Sequence, residues 1–276
     1  MNGYQEKITR IRAHLALEGT AGAVLSTPDN IFYATGFSSV MDGWHLVEPI
    51  AAVFVPTDSA SPVVLILPEA SVISPIVSER GGHPVHFDRL ATFDMLNFCE
   101  TARAEDAHLA LPDDLLAELG DVMEQVEGQC EPDIIQTIAA SLSRHVAKGE
   151  RVLFDDLRVA ARVEALIGQA SGDALDVMFA ARAVKTADEI DTLRESGQIA
   201  DAIMAFTVSQ LGVGKSWSEV EKQVAYFMID HDVDPLPGSP MLFGGAYDLV
   251  FRPDLFRTPV SRPFEGGEIV ILETQG

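Results

Sequence analysis

The chain of 276 residues has little basic charge, and this scarcity excludes several kinds of partner. Lys and Arg total 19 against 42 Asp and Glu, which gives a formal net charge of -23. A surface this acidic repels phosphate backbones and anionic lipid headgroups. We therefore expect neither nucleic acid nor a membrane among the partners of this protein.

Cysteine and long apolar runs are also scarce. Cys99 and Cys130 are the only cysteines, too few for a disulfide scaffold and without C-x-x-C spacing. The opening segment MNGYQEKITRIRAHL is charged and helical in pattern and lacks the apolar core of a signal peptide. No stretch approaches the roughly 18 apolar residues that cross a bilayer. We expect a soluble protein of the cytoplasm.

The first half of the chain is rich in strand patterns. The runs GAVL, PIAAVFVP and PVVLILP are rich in β-branched residues and bounded by turn residues, which predicts strands, and HPVHF predicts another. A helix is predicted over Tyr4 to Leu17, where Ile8, Ile11 and Leu15 share one face. This mixture predicts an α/β layer.

The second half is mostly helical in pattern. Thr186 with Glu189 and Ser216 with Glu219 have the spacing of capping boxes, which predicts a long helix to about Gly212 and a second helix after it. We place a domain boundary near residue 178, which gives domains 1–177 and 178–276.

No catalytic constellation is complete in the residues themselves. GVGKS is not a phosphate loop, because Ser209 stands at the position of the first glycine and the segment joins two helices. His83 and His86 would face opposite sides of a strand, which suits a shared metal poorly. The pair Asp155-Asp156 is predicted to supply helix-start charges.

The segment DGWHLVEP is a predicted loop that carries Trp44 and His45. Aromatic and polar side chains in such a loop can face a ligand. The alternative, in which Trp44 packs beneath the loop, stays open at this point.

Three stretches resemble the creatinase, prolidase and aminopeptidase P family. GAVLSTPDNIFYATGF is similar to the start of the family's N-terminal domain, with its N-x-x-Y-x-T/S-G-F pattern. RAVKTADEIDTLRESGQIAD resembles the entry into the catalytic domain, and PVSRPFEGGEIVILE resembles the P-x-x-R-x-L-x-x-G-D segment with its following strand. The resemblance implies an α/β (α+β) fold, in which a creatinase-type N-terminal domain precedes the first part of a pita-bread domain.

The resemblance singles out Glu273 as the catalytic residue. It aligns with the family's first metal-ligating Asp, and the other ligands of the family's metal pair would lie beyond Gly276. Because those ligands are missing from this sequence, we predict no metal here, and Glu, one methylene longer than Asp, would shift an ion even if one bound. A pair of Mn, Co or Zn ions is expected only in a full-length parent. Phe256 and Arg257 stand where many members carry a substrate-contacting His, and Arg257 is a predicted substrate contact.

The resemblance implies a hydrolase of C–N bonds in Xaa-Pro dipeptides or small molecules, with metal-free chemistry favoured. Because the chain matches only the first portion of the catalytic domain, we expect it to be inactive alone, with an exposed strand edge and an uncovered apolar face. The family also implies a homodimer in which Trp44 and His45 reach the neighbour's substrate. The alternative is a non-catalytic dimerisation or ligand-binding protein.

Overall fold

A computed structural model describes residues 3–39, 41–42, 48–95, 112–235, 239–245 and 263–274. The chain divides into two units, Met1–Thr186 and Ala187–Gly276. This division comes later than the predicted boundary near residue 178. The helix Leu175–Ala183 belongs to the first unit, because its Val177, Met178 and Ala181 are buried in the core of that unit.

The first unit alternates helices and strands. In chain order its elements are α1 (Gly3–Leu17), β1 (Gly22–Leu25), α2 (Pro28–Thr35), β2 (Ala52–Pro56), β3 (Val64–Pro68), α3 (Ser74–Arg80), β4 (Arg89–Phe93), α4 (Asp113–Met123), α5 (Ile134–His145), β5 (Val152–Phe154), α6 (Leu157–Ile167), β6 (Ser171–Asp173) and α7 (Leu175–Ala183). The predicted strands GAVL, AAVFVP and VVLILP are confirmed as β1, β2 and β3.

The described strands of the first unit form one mixed sheet in the order β4-β3-β2-β1-β5-β6. β2 runs antiparallel to both of its neighbours, β1 and β3, whereas β1 is parallel to β5. The pairs β3–β4 and β5–β6 are also parallel. Every residue of β1, β2, β3 and β5 is buried, as expected for strands covered on both faces.

Successive residues of these strands enter two different cores, one on each face of the sheet. Leu25 and Leu65 pack with α1, α2 and α7 on one face. Val24 and Phe54 pack with α5 and α6 on the other. The first unit is therefore a three-layer α/β/α sandwich, which confirms the predicted α/β layer.

The prediction of a strand at HPVHF is wrong, because its backbone pairs elsewhere. The N–H of His86 donates to the carbonyl of Thr35, the last residue of α2, at 2.8 Å. The chain meets the residue before β3 at Asp88, whose N–H donates to the Val63 carbonyl at 2.9 Å and whose carboxylate accepts from the Val63 N–H at 2.8 Å. The edge strand is β4, which begins one residue later.

The second unit consists of two helices and a strand pair in its described residues. Its elements are α8 (Ala187–Gln210), α9 (Trp217–Ile229), β7 (Met241–Gly245) and β8 (Ile269–Glu273). Its core includes Ile203 of α8, Trp217 and Val224 of α9, and Phe264, whose ring lies 4.4 Å from that of Trp217.

The turn between α8 and α9 has the predicted character. Residues 212–216, the GVGKS segment, join the two helices. The Ser216 hydroxyl accepts from the Glu219 N–H at 3.2 Å, and the Glu219 carboxylate accepts from the Ser216 N–H at 2.8 Å. This is the predicted capping box at the start of α9.

Across the parts of the chain that the structure describes, no helix combines the length and the apolar character that spanning a bilayer requires.

Candidate functional site

Glu273 is the last residue of β8 and lies opposite Met241 in the antiparallel register with β7. Val270 and Leu272 pack against the core of the second unit. Because side chains alternate along a strand, Glu273 lies on the opposite face together with Ile269 and Ile271. We call this surface the Glu273 face, defined by Ile269, Ile271 and Glu273.

The Glu273 face is accessible in the described structure. Ile269 is 52% exposed and Ile271 is 37% exposed, whereas the Glu273 side chain is half-buried. A carboxylate beside two accessible apolar side chains can hold the polar part of a small molecule while its apolar part contacts the isoleucines.

A second carboxylate fixes the strand that pairs with Glu273. The Oε1 atom of Glu221 on α9 accepts a hydrogen bond from the N–H of Leu242 at 3.2 Å. Leu242 is 2% exposed and lies opposite Leu272. Burial raises the pKa of Glu221 above the ordinary glutamate value. Glu221 thus anchors β7 one residue from the Met241–Glu273 pair.

Sequence reasoning missed Glu221. The signal available was its position on α9, one turn after Trp217 and next to Val220, both of which are buried. A carboxylate so placed needs a hydrogen-bond partner, and a backbone N–H is one of the partners that proteins use.

The described residues do not fit the metal pair of the family that the sequence resembles. Such a pair needs several carboxylate or imidazole ligands around the two ions. No group of three His, Cys, Asp or Glu side chains within the described residues could hold a metal ion. We therefore assign Glu273 no role through a metal.

Trp44, His45 and Arg257 lie outside the residues that the structure describes. Their contact with substrate stays a prediction.

A concentrated set of hydrogen bonds lies in the first unit, where β1 and β5 end side by side. Asp155 follows β5, and its Oδ1 accepts from the N–H and the hydroxyl of Ser26 at 2.8 and 3.1 Å. Its Oδ2 accepts from the N–H and hydroxyl of Thr27 at 3.1 and 2.7 Å and from the Asn30 amide at 3.0 Å. Asp155 therefore joins the end of β5 to the start of α2.

Asp155 and Asp156 have different roles, although the sequence predicted one role for both. Asp156 begins α6 as expected, because its carboxylate accepts from the Arg158 N–H at 2.8 Å. For Asp155 the prediction is wrong, since its carboxylate serves the turn after β1 rather than its own helix. The polar run STPDN directly after a buried strand was the available signal for such an acceptor.

Two of the described histidines, His86 and His145, have clear structural neighbours. The His86 ring packs at a tilt against the Tyr4 ring, with centroids 4.1 Å apart, and burial lowers the pKa of His86. His145 Nε2 lies 2.8 Å from Oε2 of Glu127, and the other carboxylate oxygen, Oε1, accepts from the hydroxyl of Ser141 at 3.1 Å. These contacts tie the segment before α5 to that helix.

The fold is shared with the solved structures of a prolidase, a dipeptidase and an X-Pro aminopeptidase. The chain aligns over 99% of its length with a prolidase from Thermococcus sibiricus, at 17% identity and a TM-score of 0.62, covering 61% of that chain. It aligns over 99% with the dipeptidase PepE from Mycobacterium ulcerans, at 17% identity and a TM-score of 0.61, covering 60% of that chain. An X-Pro aminopeptidase from Thermotoga maritima matches over 97%, at 12% identity and a TM-score of 0.59.

The chain thus spans about 60% of the length of the prolidase and of the dipeptidase PepE. No protein-family model and no curated protein sequence matches it. At these identities the likeness is one of fold, and it confirms the fold predicted from the three sequence motifs.

Proposed function

We propose that this protein is a hydrolase of C–N bonds in Xaa-Pro dipeptides or similar small molecules, with Glu273 as a catalytic carboxylate. One observation supports this most directly: the alignment with a prolidase extends over 99% of the chain. It therefore takes in both units. The neighbours named above are a prolidase, a dipeptidase and an X-Pro aminopeptidase.

The surroundings of Glu273 suit a carboxylate that works on a substrate. Its half-buried side chain lies on the face that the core of the second unit does not use. In this proposal Glu273 takes the proton of an attacking water or pairs with the substrate's ammonium group. Ile269 and Ile271 offer an apolar surface to a ring such as that of proline.

The proposal also covers residues outside the described parts. Trp44 and His45 contact the substrate of a partner subunit in a homodimer of the cytoplasm, and Arg257 contacts substrate in its own subunit. Replacing Trp44 by Ala then raises KM and leaves the fold intact. Unchanged dimerisation and unchanged KM in this variant contradict the role of Trp44.

We expect the 276 residues alone to show no hydrolysis and to bind no divalent metal tightly. The prolidase from Thermococcus sibiricus is longer than this chain, because the chain covers only 61% of it. Stoichiometric Mn, Co or Zn in the purified 276-residue protein would contradict this expectation.

The test of the hydrolase role is an assay of the product of the complete reading frame. Ala-Pro, Gly-Pro and Ala-Ala are supplied, and release of the C-terminal amino acid is measured with and without added Mn²⁺. We expect cleavage of at least one Xaa-Pro dipeptide. Glu273→Gln should lower kcat by about 10²-fold or more, the range for a general acid or base.

Glu265→Gln is the matched control, because Glu265 is an exposed carboxylate in the loop before β8. Its kcat should equal that of the wild type. Equal activity of Glu273→Gln and wild type removes Glu273 from the site. Absence of any hydrolysis by the complete product favours the alternative, a non-catalytic dimerisation or ligand-binding protein.

A further inference from the structure

Helix α8 carries a row of apolar residues that the core of the second unit does not use. The buried residues of this helix are Ile203 and Thr207. Six other residues follow one another at steps of three and four, and all six are exposed: Ile190, Leu193, Gly197, Ala200, Met204 and Val208. Residues at such steps lie on one face of an α-helix. We call this face the α8 stripe.

The α8 stripe is continuous and its large side chains are well exposed. Leu193 is 56% exposed, Met204 44% and Val208 65%. Single apolar side chains are ordinary on a protein surface, but a contiguous apolar row marks an interaction surface. The alternation of three-residue and four-residue steps is the pattern of a helix that packs along another helix. The stripe therefore fits a helical partner.

The centre of the stripe consists of its two smallest residues, Gly197 and Ala200. A glycine in the interior of a helix lowers the stability of that helix. Outside its own stretch of α8, no described atom lies within 4 Å of the point that a Cβ on Gly197 would occupy. The packing of the described chain therefore gives no steric reason for a glycine here. A second helix that crosses at this point can approach the backbone closely.

The residue sizes along the stripe match those of a second copy that runs in the opposite direction. With a two-fold axis midway between Gly197 and Ala200, Gly197 of one copy lies level with Ala200 of the other. Leu193 then lies level with Met204 of the second copy. Ile190 comes within one residue of the level of Val208. Small residues thus meet at the centre and larger ones on either side, as the self-complementary interface of a two-fold dimer requires.

Two charged residues beside the stripe favour this direction. Arg194 and Asp201 lie on the same edge of the stripe, but they are two turns, or about 10 Å, apart along the helix. In the antiparallel pair, Arg194 of each copy lies only about 3 Å along the axis from Asp201 of the other. Two identical ion pairs follow by symmetry. In a parallel pair, Asp201 faces the uncharged Ser196 instead.

Both charged groups are available to a partner. The Asp201 carboxylate is exposed, and no described residue hydrogen-bonds it or forms an ion pair with it. The Nη1 atom of Arg194 donates to Oδ1 of Asp191 at 2.8 Å, with side chains that are 70% and 74% exposed. An ion pair this exposed is weak, and a guanidinium with five N–H donors can keep it while it binds a second carboxylate.

We propose that the α8 stripe binds the α8 stripe of a second copy of this chain, in an antiparallel two-fold dimer that pairs Arg194 of each copy with Asp201 of the other. At 1.5 Å per residue the paired stripes overlap over about 27 Å. A contact of this length is small among specific interfaces, so we expect a Kd of roughly 10⁻⁵ M. The contact uses only α8 and does not rest on the proposed hydrolase activity or on Trp44 and His45.

Analytical ultracentrifugation of the 276-residue chain measures the dimer and its Kd, over concentrations from about 10⁻⁶ to 10⁻³ M. The net charge of -23 on each copy opposes association, so the buffer has physiological salt to screen this repulsion. Leu193→Glu should weaken the dimer at least about a hundredfold, because two leucines lose their burial and two carboxylates enter the contact. Leu166→Glu is the matched control, since Leu166 on α6 is also 56% exposed and should leave the Kd unchanged.

Exchange of the two charges tests the direction of pairing. Arg194→Asp and Asp201→Arg should each weaken the dimer about tenfold, because each change turns two attractions into two repulsions. The double variant again has opposite charges across the contact and should recover most of the lost affinity.

Gly197→Gln separates the stability of the chain from its association. Gln is a better helix former than Gly, and no described atom outside α8 crowds its Cβ, so the midpoint of thermal unfolding should rise. The same side chain blocks the close approach of the second helix and should weaken the dimer severalfold. A variant that is more stable and equally dimeric contradicts a close approach at Gly197.

Three further results would overturn the proposal. The first is a chain that stays monomeric throughout the concentration range. The second is equal dimerisation of Leu193→Glu and Leu166→Glu. In both cases an occupant other than a second copy covers the α8 stripe. The third is a double charge exchange that restores no affinity, which contradicts the antiparallel register. Circular dichroism verifies that each variant is folded.

Discussion

Two strands of nearly the same composition have opposite surroundings in this molecule. β3 in the first unit reads VLILP, and each of its five residues is buried. β8 in the second unit reads IVILE, and its side chains alternate between exposed and half-buried over its first four residues. β3 has a strand on each side and helices on each face, whereas β8 pairs with β7 alone among the described strands.

The burial of a strand's side chains therefore depends on the strands and helices that pack around it and not on its own composition. In the first unit, apolar residues of both faces reach a core, so the run of apolar residues is needed throughout. In the second unit, Val270 and Leu272 reach a core while Ile269, Ile271 and Glu273 do not. The apolar side chains of the Glu273 face therefore contact no core within the described residues.

The largest expected effect is on the free energy of unfolding, and it should differ between a substitution in β3 and one in β8. Leu65 of β3 is fully buried, and Leu65→Ala should lower the free energy of unfolding of the first unit by about 4 kcal/mol through lost burial and a cavity. Ile271→Ala in β8 should lower that of the second unit by about 1 kcal/mol or less, because its side chain is 37% exposed. Urea unfolding followed by circular dichroism, with separate transitions fitted for the units, measures both. Equal losses would break the contrast.

The next effect tests the polar anchor of the first unit. Asp155→Ala removes the acceptor of five hydrogen bonds from Ser26, Thr27 and Asn30. Donors left without a partner cost about 1–3 kcal/mol each when buried, and water can serve some of these, so we expect a loss of about 3 kcal/mol. Asp155→Asn keeps one acceptor oxygen and should lose about half as much. Urea unfolding at neutral pH is the measurement, and a loss below about 0.5 kcal/mol for Asp155→Ala would contradict this role.

A smaller effect concerns the anchor of the second unit, Glu221. Burial raises its pKa in the folded state above the ordinary value of 4.5. A raised carboxyl pKa means that the folded state binds the proton more tightly than the unfolded state does. The contribution to stability is then fully present below pH 4.5 and is lost as the pH rises through the folded pKa.

Glu221→Gln should remove this pH dependence while keeping an oxygen that accepts from Leu242. After allowance for solvent screening, we expect a difference of under about 1 kcal/mol between the variant and the wild type at neutral pH. Unfolding free energies measured from just below pH 4.5 to pH 7 verify the sign. A wild type whose second unit loses stability on acidification through this window, relative to Glu221→Gln, would contradict it.

The smallest expected change in stability is on the Glu273 face itself. Ile269→Thr with Ile271→Thr keeps β-branched residues in β8 and should change the free energy of unfolding by no more than about 0.5 kcal/mol per site. Because it removes exposed apolar surface, it should lower the binding of the dye ANS and any self-association. Light scattering and dye fluorescence provide the readout. Unchanged dye binding would mean that this face is covered in solution.

The sequence predicted β2 and β3 because their residues are apolar without interruption. It did not predict β6, whose sequence SGD has no strand propensity and which exists through parallel pairing with β5. The HPVHF segment has the composition of a strand, but the Thr35 carbonyl accepts its His86 N–H. Residue composition was therefore sufficient to predict the central strands of the sheet. The edge strands depend on pairing with distant residues, which composition does not show.

Only those residues of the candidate site that belong to a sequence motif could be predicted. Glu273 was predicted because it ends the segment GGEIVILE, which resembles a family motif. Asp155 and Glu221 have partners far along the chain, since Ser26 lies 129 residues from Asp155 and Leu242 lies 21 residues from Glu221. No local pattern records such contacts, because they arise only when the strands and helices are packed together.

Hydrogen exchange of β3 and β8 in the same sample tests the difference between the two units most directly. We expect the central amides of β3 to exchange at least about a hundredfold more slowly than those of β8, because fewer buried contacts oppose local opening of β8. Equal protection of the two strands would contradict this account, since it would require the Glu273 face to be covered in solution.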